Sequence, residues 1–206
     1  MVSTDNENRR RTRALALAER YPASRQILEF YAALIGFDSD WPTLRARLLE
    51  IAPEPMQRAA ALQQQPEGIF LKILSRRNQP AKAQSPKKNE CPNCGSLPQC
   101  GALREEGQGH SLFLVCSLCT HEWNFSRSHC PACLMVDEKL LGFYTAEQFP
   151  HVQTLLCEHC RSYLHIVHCG MDPQAIPDID ELACTPLDIW AIDQGYAKLV
   201  PNLAGL

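Results

Sequence analysis

A chain of 206 residues that is 45% hydrophobic and 21% charged is globular in composition, long enough for one ordinary domain or two small ones. Its formal charge of -3 conceals a split: residues 1–90 hold 15 Lys+Arg against 10 Asp+Glu, and residues 91–206 hold 5 against 13. So acidic a second half speaks against a nucleic-acid surface, which draws on Lys and Arg. The basic start lacks the sustained apolar run of a signal or anchor, so a cytoplasmic protein without membrane insertion is expected.

In chain order, residues 12–35 read as helix, first "TRALALAER" and then, after Pro22, "SRQILEFYAALIGF". Ile27, Leu28, Tyr31, Leu34 and Ile35 fall at helical spacing, with Ser24 as N-cap and Gly36 as stop. Another helix is expected to start at Asp40 with Pro42 in its first turn, and two shorter ones around Met56–Gln64 and Glu67–Ser75. Residues 75–90, "SRRNQPAKAQSPKKNE", combine prolines and basic side chains with almost nothing to bury, which describes a solvated linker.

Beyond Cys91 the pattern turns to short strands and turns. "HSLFLVC" and "HVQTLLC" each run into a Cys-x-x-Cys turn and are followed by "THEWNF" and "SYLHIVH". Trp123 and Phe125 are expected to pack over the first of these units, and Tyr163, Leu164 and Ile166 over the second. The tail "CTPLDIWAIDQGYAK" reads as a helix capped by Thr185, with Pro186 in its first turn and Gly195 near its end.

All eleven cysteines and all seven histidines lie between Cys91 and Cys184. In a reducing compartment such density points to thiols and metal thiolates rather than disulfides. Four pairs carry the chemistry: Cys91 and Cys94, Cys116 and Cys119, Cys130 and Cys133, Cys157 and Cys160. A Cys-x-x-Cys turn brings two thiolates to one ion while its backbone N–H groups bond to the sulfurs, and two turns complete a tetrahedral site.

Which turns combine follows from an internal repeat. The first and third pairs are offset by 39 residues and the second and fourth by 41, and His110 and His151 each precede the second turn of their unit by six. Consecutive pairing is therefore expected, with Cys91, Cys94, Cys116 and Cys119 on one metal and Cys130, Cys133, Cys157 and Cys160 on another. The interleaved arrangement, first pair with third and second with fourth, is one alternative; joining the middle two pairs is the least favoured, because it leaves the outer two separated by 62 residues. Zinc and mononuclear iron suit such sites equally by geometry, and four sulfur ligands leave no open position for hydrolytic chemistry.

Cys100, Cys169 and Cys184 stand outside the quartets and are expected as buried small side chains. His121, His129, His159, His165 and His168 are expected to act around the sites or at the surface, not as ligands. No glycine-rich phosphate loop, serine elbow or His-Glu-x-x-His is present, so no catalytic residue is assigned.

The runs "CPNCGSLP", "LFLVCSLCTHEWNFSRSHCPAC", "CEHCRSYLHIVHCGMDP" and "LDIWAIDQGYAKLVPNL" resemble the formate dehydrogenase accessory protein (FdhE) family over residues 91–203. "RALALAERYPASRQILEFYAALIGF" resembles that family's opening helices more weakly, and the helical half here is shorter. The resemblance implies a cytoplasmic maturation factor rather than an enzyme, which binds the catalytic subunit of formate dehydrogenase, or of a related oxidoreductase, before export. It also implies rubredoxin-like sites with iron on the eight cysteines named above.

The expected architecture is α+β: a helical domain (1–74), a linker (75–90), two tandem rubredoxin-like metal ribbons (91–129 and 130–173) and a C-terminal helical tail (174–206). A rubredoxin-type electron carrier and a nucleic-acid-binding zinc ribbon are the rival functions.

Overall fold

A computed structural model of the chain describes residues 4–35, 88–107 and 109–205. The helices expected from Asp40 to Ser75, the stop at Gly36 and most of the linker lie outside the described residues. Helix α1 (Thr4–Arg20) leads through a 3-10 turn at Pro22–Ser24 into α2 (Arg25–Ile35). The structure begins α1 eight residues before the expected start, because its first two turns are polar and carry no apolar stripe.

Along α1 and just past it, Ala14, Leu17, Ala18 and Tyr21 are buried, at spacings of three and four that define one face. Leu28, Tyr31 and Ala32 of α2 meet that face, and Tyr21 stacks on Phe149 at 4.6 Å. Each fully buried leucine here contributes about 1.5–3 kcal/mol of transfer free energy. Ser24, immediately before α2, is buried, and its hydroxyl donates to the Ala183 carbonyl at 2.7 Å.

Among the described residues seven strands follow, β1 (Pro98–Glu106), β2 (Gly109–Cys116), β3 (Glu122–Phe125), β4 (Leu141–Thr145), β5 (Val152–Cys157), β6 (Ser162–His168) and the two-residue β7 (Ala197–Lys198), which pairs parallel with β6 beside the main order. The sheet order is β3-β2-β1-β6-β5-β4. Within each trio the strands are antiparallel, and the trios meet where β1 runs parallel to β6, with Gly101 opposite Ile166. A Cβ on Gly101 would sit 3.0 Å from Leu112 and 3.1 Å from Ile166, so glycine is what lets the two trios close up. This is the geometry of one ribbon repeated head to tail.

Residue alternation along the strands sorts side chains to two faces. Leu103, Leu112, Leu114, Phe125, Leu141, Leu155, Leu164 and Ile166 form one core shared by both trios, with half-buried Trp123 against it. On the opposite face Val152 and Val167 meet α1, α2 and a third helix, α3 (Pro177–Ala183), while Leu156 and Tyr163 meet α4 (Thr185–Asp193). Strand β6 is buried on both faces and is central.

All seven residues of α3 are buried, three of them acidic. Their partners come from elsewhere: Arg10 reaches Asp178, Arg13 reaches Asp180, and Lys198 of β7 (Ala197–Lys198) reaches Glu181. Thr185 is not the cap of α4. That position falls to Cys184, whose carbonyl accepts from Leu187 and Asp188, because α4 starts directly where α3 ends. Gly195 does end the helix, with φ +80° and its amide on the Ile192 carbonyl while Tyr196 bonds back to Ala191.

The fold is thus mixed helix and sheet, with an N-terminal helical segment, two four-cysteine clusters and a C-terminal helix. Among the described residues no helix is long and apolar enough to cross a membrane.

Candidate metal centres

Strands β1, β3, β4 and β6 each follow a Cys-x-x-Cys turn, and β2 and β5 each run into one. Because β1 and β6 are parallel and their neighbours alternate, all four turns lie at the same end of the sheet. The four turns share one backbone form. The residue after each second cysteine donates to the carbonyl of the first: Gly95 to Cys91 at 2.8 Å, Thr120 to Cys116 at 3.2 Å, Leu134 to Cys130 at 2.9 Å and Arg161 to Cys157 at 2.8 Å.

That residue is left-handed in every case, with φ of +76°, +56°, +62° and +56°. Among the described residues Thr120, Leu134 and Arg161 are the non-glycine residues with positive φ. For a β-branched residue such as Thr120 the conformation is costly, and it persists where the surroundings over-determine it. Here the over-determining feature is the turn that aims N–H groups at sulfur: Leu118 N lies 3.3 Å from Cys116 Sγ, and Ala132 N lies 3.4 Å from Cys130 Sγ.

The sulfurs converge as two sets of four. Cys91 Sγ lies 3.6 Å from Cys119 Sγ and Cys94 Sγ 3.3 Å from Cys116 Sγ; in the second set Cys130 to Cys160 is 3.7 Å and Cys133 to Cys157 is 3.9 Å. Within each set all four sulfurs lie within 4.8 Å of one another. A tetrahedral ion with metal–sulfur bonds of about 2.3 Å has sulfur–sulfur edges of about 3.8 Å, so each quartet has the size for one such ion. The sequence-predicted cysteines are therefore brought together in the consecutive arrangement, and the interleaved one does not occur.

Cys91, Cys116, Cys130 and Cys157 are buried; Cys94, Cys119 and Cys160 are half-buried, and Cys133 is exposed. As thiols they diverge. Burial pushes Cys91 up to about 11 and raises Cys116, Cys130 and Cys157. Burial acts the same way on Cys94 and Cys160, but hydrogen bonds from Ser96 and Ser162, and from neighbouring cysteines, outweigh it and bring each down to about 7. Cys94 and Cys160 therefore surrender a proton to an incoming cation more readily than Cys91, Cys116, Cys130 and Cys157.

Further groups brace the sulfurs. Asn93 Nδ2 points at Cys119 Sγ at 3.7 Å, a contact with no counterpart in the second quartet, where the repeat places Ala132. The turn between Cys157 and Cys160 is gripped by the C-terminal segment: Arg161 donates to the Gln194 carbonyl at 2.6 Å and lies 3.8 Å over the Tyr196 ring, and the Tyr196 hydroxyl bonds Glu158.

No histidine joins either quartet. His165 is fully buried, with Nε2 2.8 Å from Asp188 and Nδ1 2.9 Å from Thr154, and His168 lies 3.3 Å from Gln153. Cys100 and Cys184 are buried as expected, and Cys169 is half-buried. A cluster that sequence reading did not anticipate joins His151, Asp172 and Asp180 within 4.8 Å. Arg13 donates to both of its carboxylates, so a guanidinium already occupies the cationic role there.

Two four-cysteine units of turn and strand in tandem on one sheet, with helices over one face, define a class of paired cysteine-ribbon proteins in which each quartet could hold one metal ion. The family model described as "FdhE, central domain" matches residues 90–127 and "FdhE, C-terminal domain" matches residues 128–204, together more than half of the chain, which belongs to the FdhE family. The boundary between the two falls in the seam between the quartets.

A "Protein FdhE homolog" of Aquifex aeolicus (strain VF5) is 33% identical over 93 residues, covering 45% of this chain and 33% of that protein. Another from Stutzerimonas stutzeri (strain A1501) is 36% identical over 102 residues, covering 48% and 33%. The chain thus covers about a third of each of these relatives. The crystal structure of the FdhE protein from Pseudomonas aeruginosa shares the fold, with a TM-score of 0.65 at 21% identity, over 98% of this chain and 95% of that one.

Proposed function

We propose that this protein is an accessory factor in the maturation of formate dehydrogenase or a related oxidoreductase, and that each cysteine quartet holds one structural or redox metal ion. Membership of the FdhE family supports the accessory role. The closed sulfur quartets are the observation that carries the chemistry: four thiolates fill a tetrahedral shell and leave no position for water or substrate, so the ions hold the turns or pass single electrons.

On this reading Cys91, Cys94, Cys116 and Cys119 bind the first ion in a ribbon spanning 91–129. Cys130, Cys133, Cys157 and Cys160 bind the second in a ribbon spanning 130–173. The family resemblance favours iron over zinc. The client is the immature catalytic subunit, held in the cytoplasm before export, and the protein itself is not an enzyme. Exposure of Cys133 at the second quartet favours electron transfer as a further capacity, since it gives a sulfur path to the surface.

Anaerobic purification with metal analysis and a visible spectrum tests the metal reading: two equivalents per chain and a ferric-thiolate absorption are expected. Capture of the immature catalytic subunit under low oxygen tests the client. Absence of a complex, together with normal client activity in a deletion strain, would overturn that part.

A further inference from the structure

Asn89 stands two residues before Cys91 in one quartet, yet its side chain serves the other. Its Nδ2 donates to the Pro131 carbonyl at 2.9 Å and the Ala132 carbonyl at 3.2 Å, the two carbonyls inside the Cys130–Cys133 turn. Asn89 is 5% exposed, and because both partners are acceptors the amide can present only its NH2 group to them.

The contact reaches the sulfur through one rigid unit. Pro131 C=O and Ala132 N–H belong to the same planar peptide, and that N–H lies 3.4 Å from Cys130 Sγ. Holding the carbonyl therefore aims the N–H at the thiolate. Asn89 is in turn held from the first ribbon: Trp123 Nε1 donates to the Lys88 carbonyl at 3.0 Å, and Cys91 N donates to the Ser96 carbonyl at 2.9 Å.

The link is not duplicated. The repeat places Ser128 where Asn89 stands, and its hydroxyl bonds Ser126 and His129 within the seam.

We infer that Asn89 couples the two centres: an ion in the Cys91 quartet fixes the segment carrying Asn89, and Asn89 holds the Cys130 turn in its ligating form. The inference rests on the reading that both quartets bind metal. A cation then binds the second quartet more tightly when the first is filled, and by linkage the first more tightly when the second is filled. Hydrogen-bonding partners around metal ligands are worth about 10–100-fold in affinity, which sets the expected size of the coupling.

Cobalt(II) titration of the full chain, followed by its thiolate charge-transfer band and by competition with a chelator, tests this. The unmodified chain is expected to fill both quartets cooperatively. Asn89→Asp, which keeps the side-chain volume but replaces donors by an acceptor, is expected to abolish cooperativity and weaken one equivalent about 10–100-fold.

In the Cys94→Ser/Cys119→Ser background the remaining equivalent is expected to be weak already, and Asn89→Asp to change it little further. Two tight, independent equivalents in both the unmodified chain and Asn89→Asp would overturn the coupling while leaving the metal reading intact. A chain that binds no cobalt would overturn both.

Discussion

Arg13 and Asp180 meet across 167 residues of sequence, the Arg13 Nε donating to Asp180 Oδ2 at 3.0 Å with both side chains buried. Asp180 is otherwise bonded to His151 at 2.9 Å and to the Ile176 amide at 2.8 Å. The contact ties α1 to α3, so the helical start and the acidic end fold as one layer on the sheet. Removing one partner of a buried ion pair strands the other charge, at about 3–5 kcal/mol. Arg13→Met is therefore expected to lower the urea unfolding free energy by roughly 3 kcal/mol, and a loss under about 1 kcal/mol would mean that solvent replaces the guanidinium.

Asp172 shares that guanidinium at 2.6 Å. Burial alone would raise its carboxyl, but the Arg13 hydrogen bond and the Gln174 amide outweigh burial and hold it below the usual carboxylate range. A group depressed on folding contributes stability above its unfolded value, near 4, and loses it as pH falls through the folded value. Asp172→Asn should therefore be less stable than the unmodified chain at pH 6 and converge with it as pH drops well below 4. Urea midpoints for both chains across that range check the sign, with loss of metal affecting both alike.

At Gly95 a Cβ would meet nothing within 4 Å, so the φ of +76° is the whole reason for glycine there. Gly95→Ala is expected to cost about 1 kcal/mol without changing metal content. The converse change at the equivalent turn, Thr120→Gly, relieves a β-branched residue at φ +56° and should raise the thermal midpoint slightly. Opposite signs at two equivalent positions separate backbone strain from any effect on the sulfurs.

These turns were the legible part of the molecule. Cysteines three apart encode each turn within a few residues, so the four turns were legible, and the repeat at offsets of 39 and 41 favoured consecutive over interleaved pairing, which the converging sulfurs then decide. Strand β4 "LGFYT" was too short to stand out, and β1 "PQCGALREE" places Cys100, Gly101 and Ala102 where a strand signal wants large branched side chains. Helix α3, "PDIDELA", reads as surface because its acids contradict burial. The cations that make burial tolerable, Arg10, Arg13 and Lys198, arrive through tertiary contacts that no local pattern reveals, and the same holds for Asn89.

Asn93 offers a test of how far the two centres differ. Its amide lies 3.7 Å from Cys119 Sγ, and N–H groups near sulfur stabilise thiolate charge and tune the potential of a bound iron. Asn93→Ala is expected to weaken metal retention at the first quartet by about tenfold and, with iron bound, to lower the potential of one centre only. Chelator challenge and a two-wave voltammogram read these out, and an equal shift of both waves would count against a local effect.

Lys198 is the cation of the second buried network. Its Nζ bonds Glu181 and lies 2.7 Å from Asp188 Oδ1, which also accepts from the Tyr163 hydroxyl at 2.9 Å, while Asn202 Nδ2 bridges the two acids at 3.0 and 3.2 Å. Burial would lower the lysine, but the two carboxylates outweigh it and hold it above its usual value. Lys198→Met keeps the stem's packing and leaves two buried carboxylates with no ammonium, an expected loss of about 3–5 kcal/mol at pH 7. The variant should recover part of that loss as pH falls, because protonating a stranded carboxylate removes the buried charge. Unfolding free energies at pH 5 and pH 7 decide it: a gap between the chains that is smaller at pH 5 fits stranded charge, and a gap independent of pH would assign the loss to packing alone.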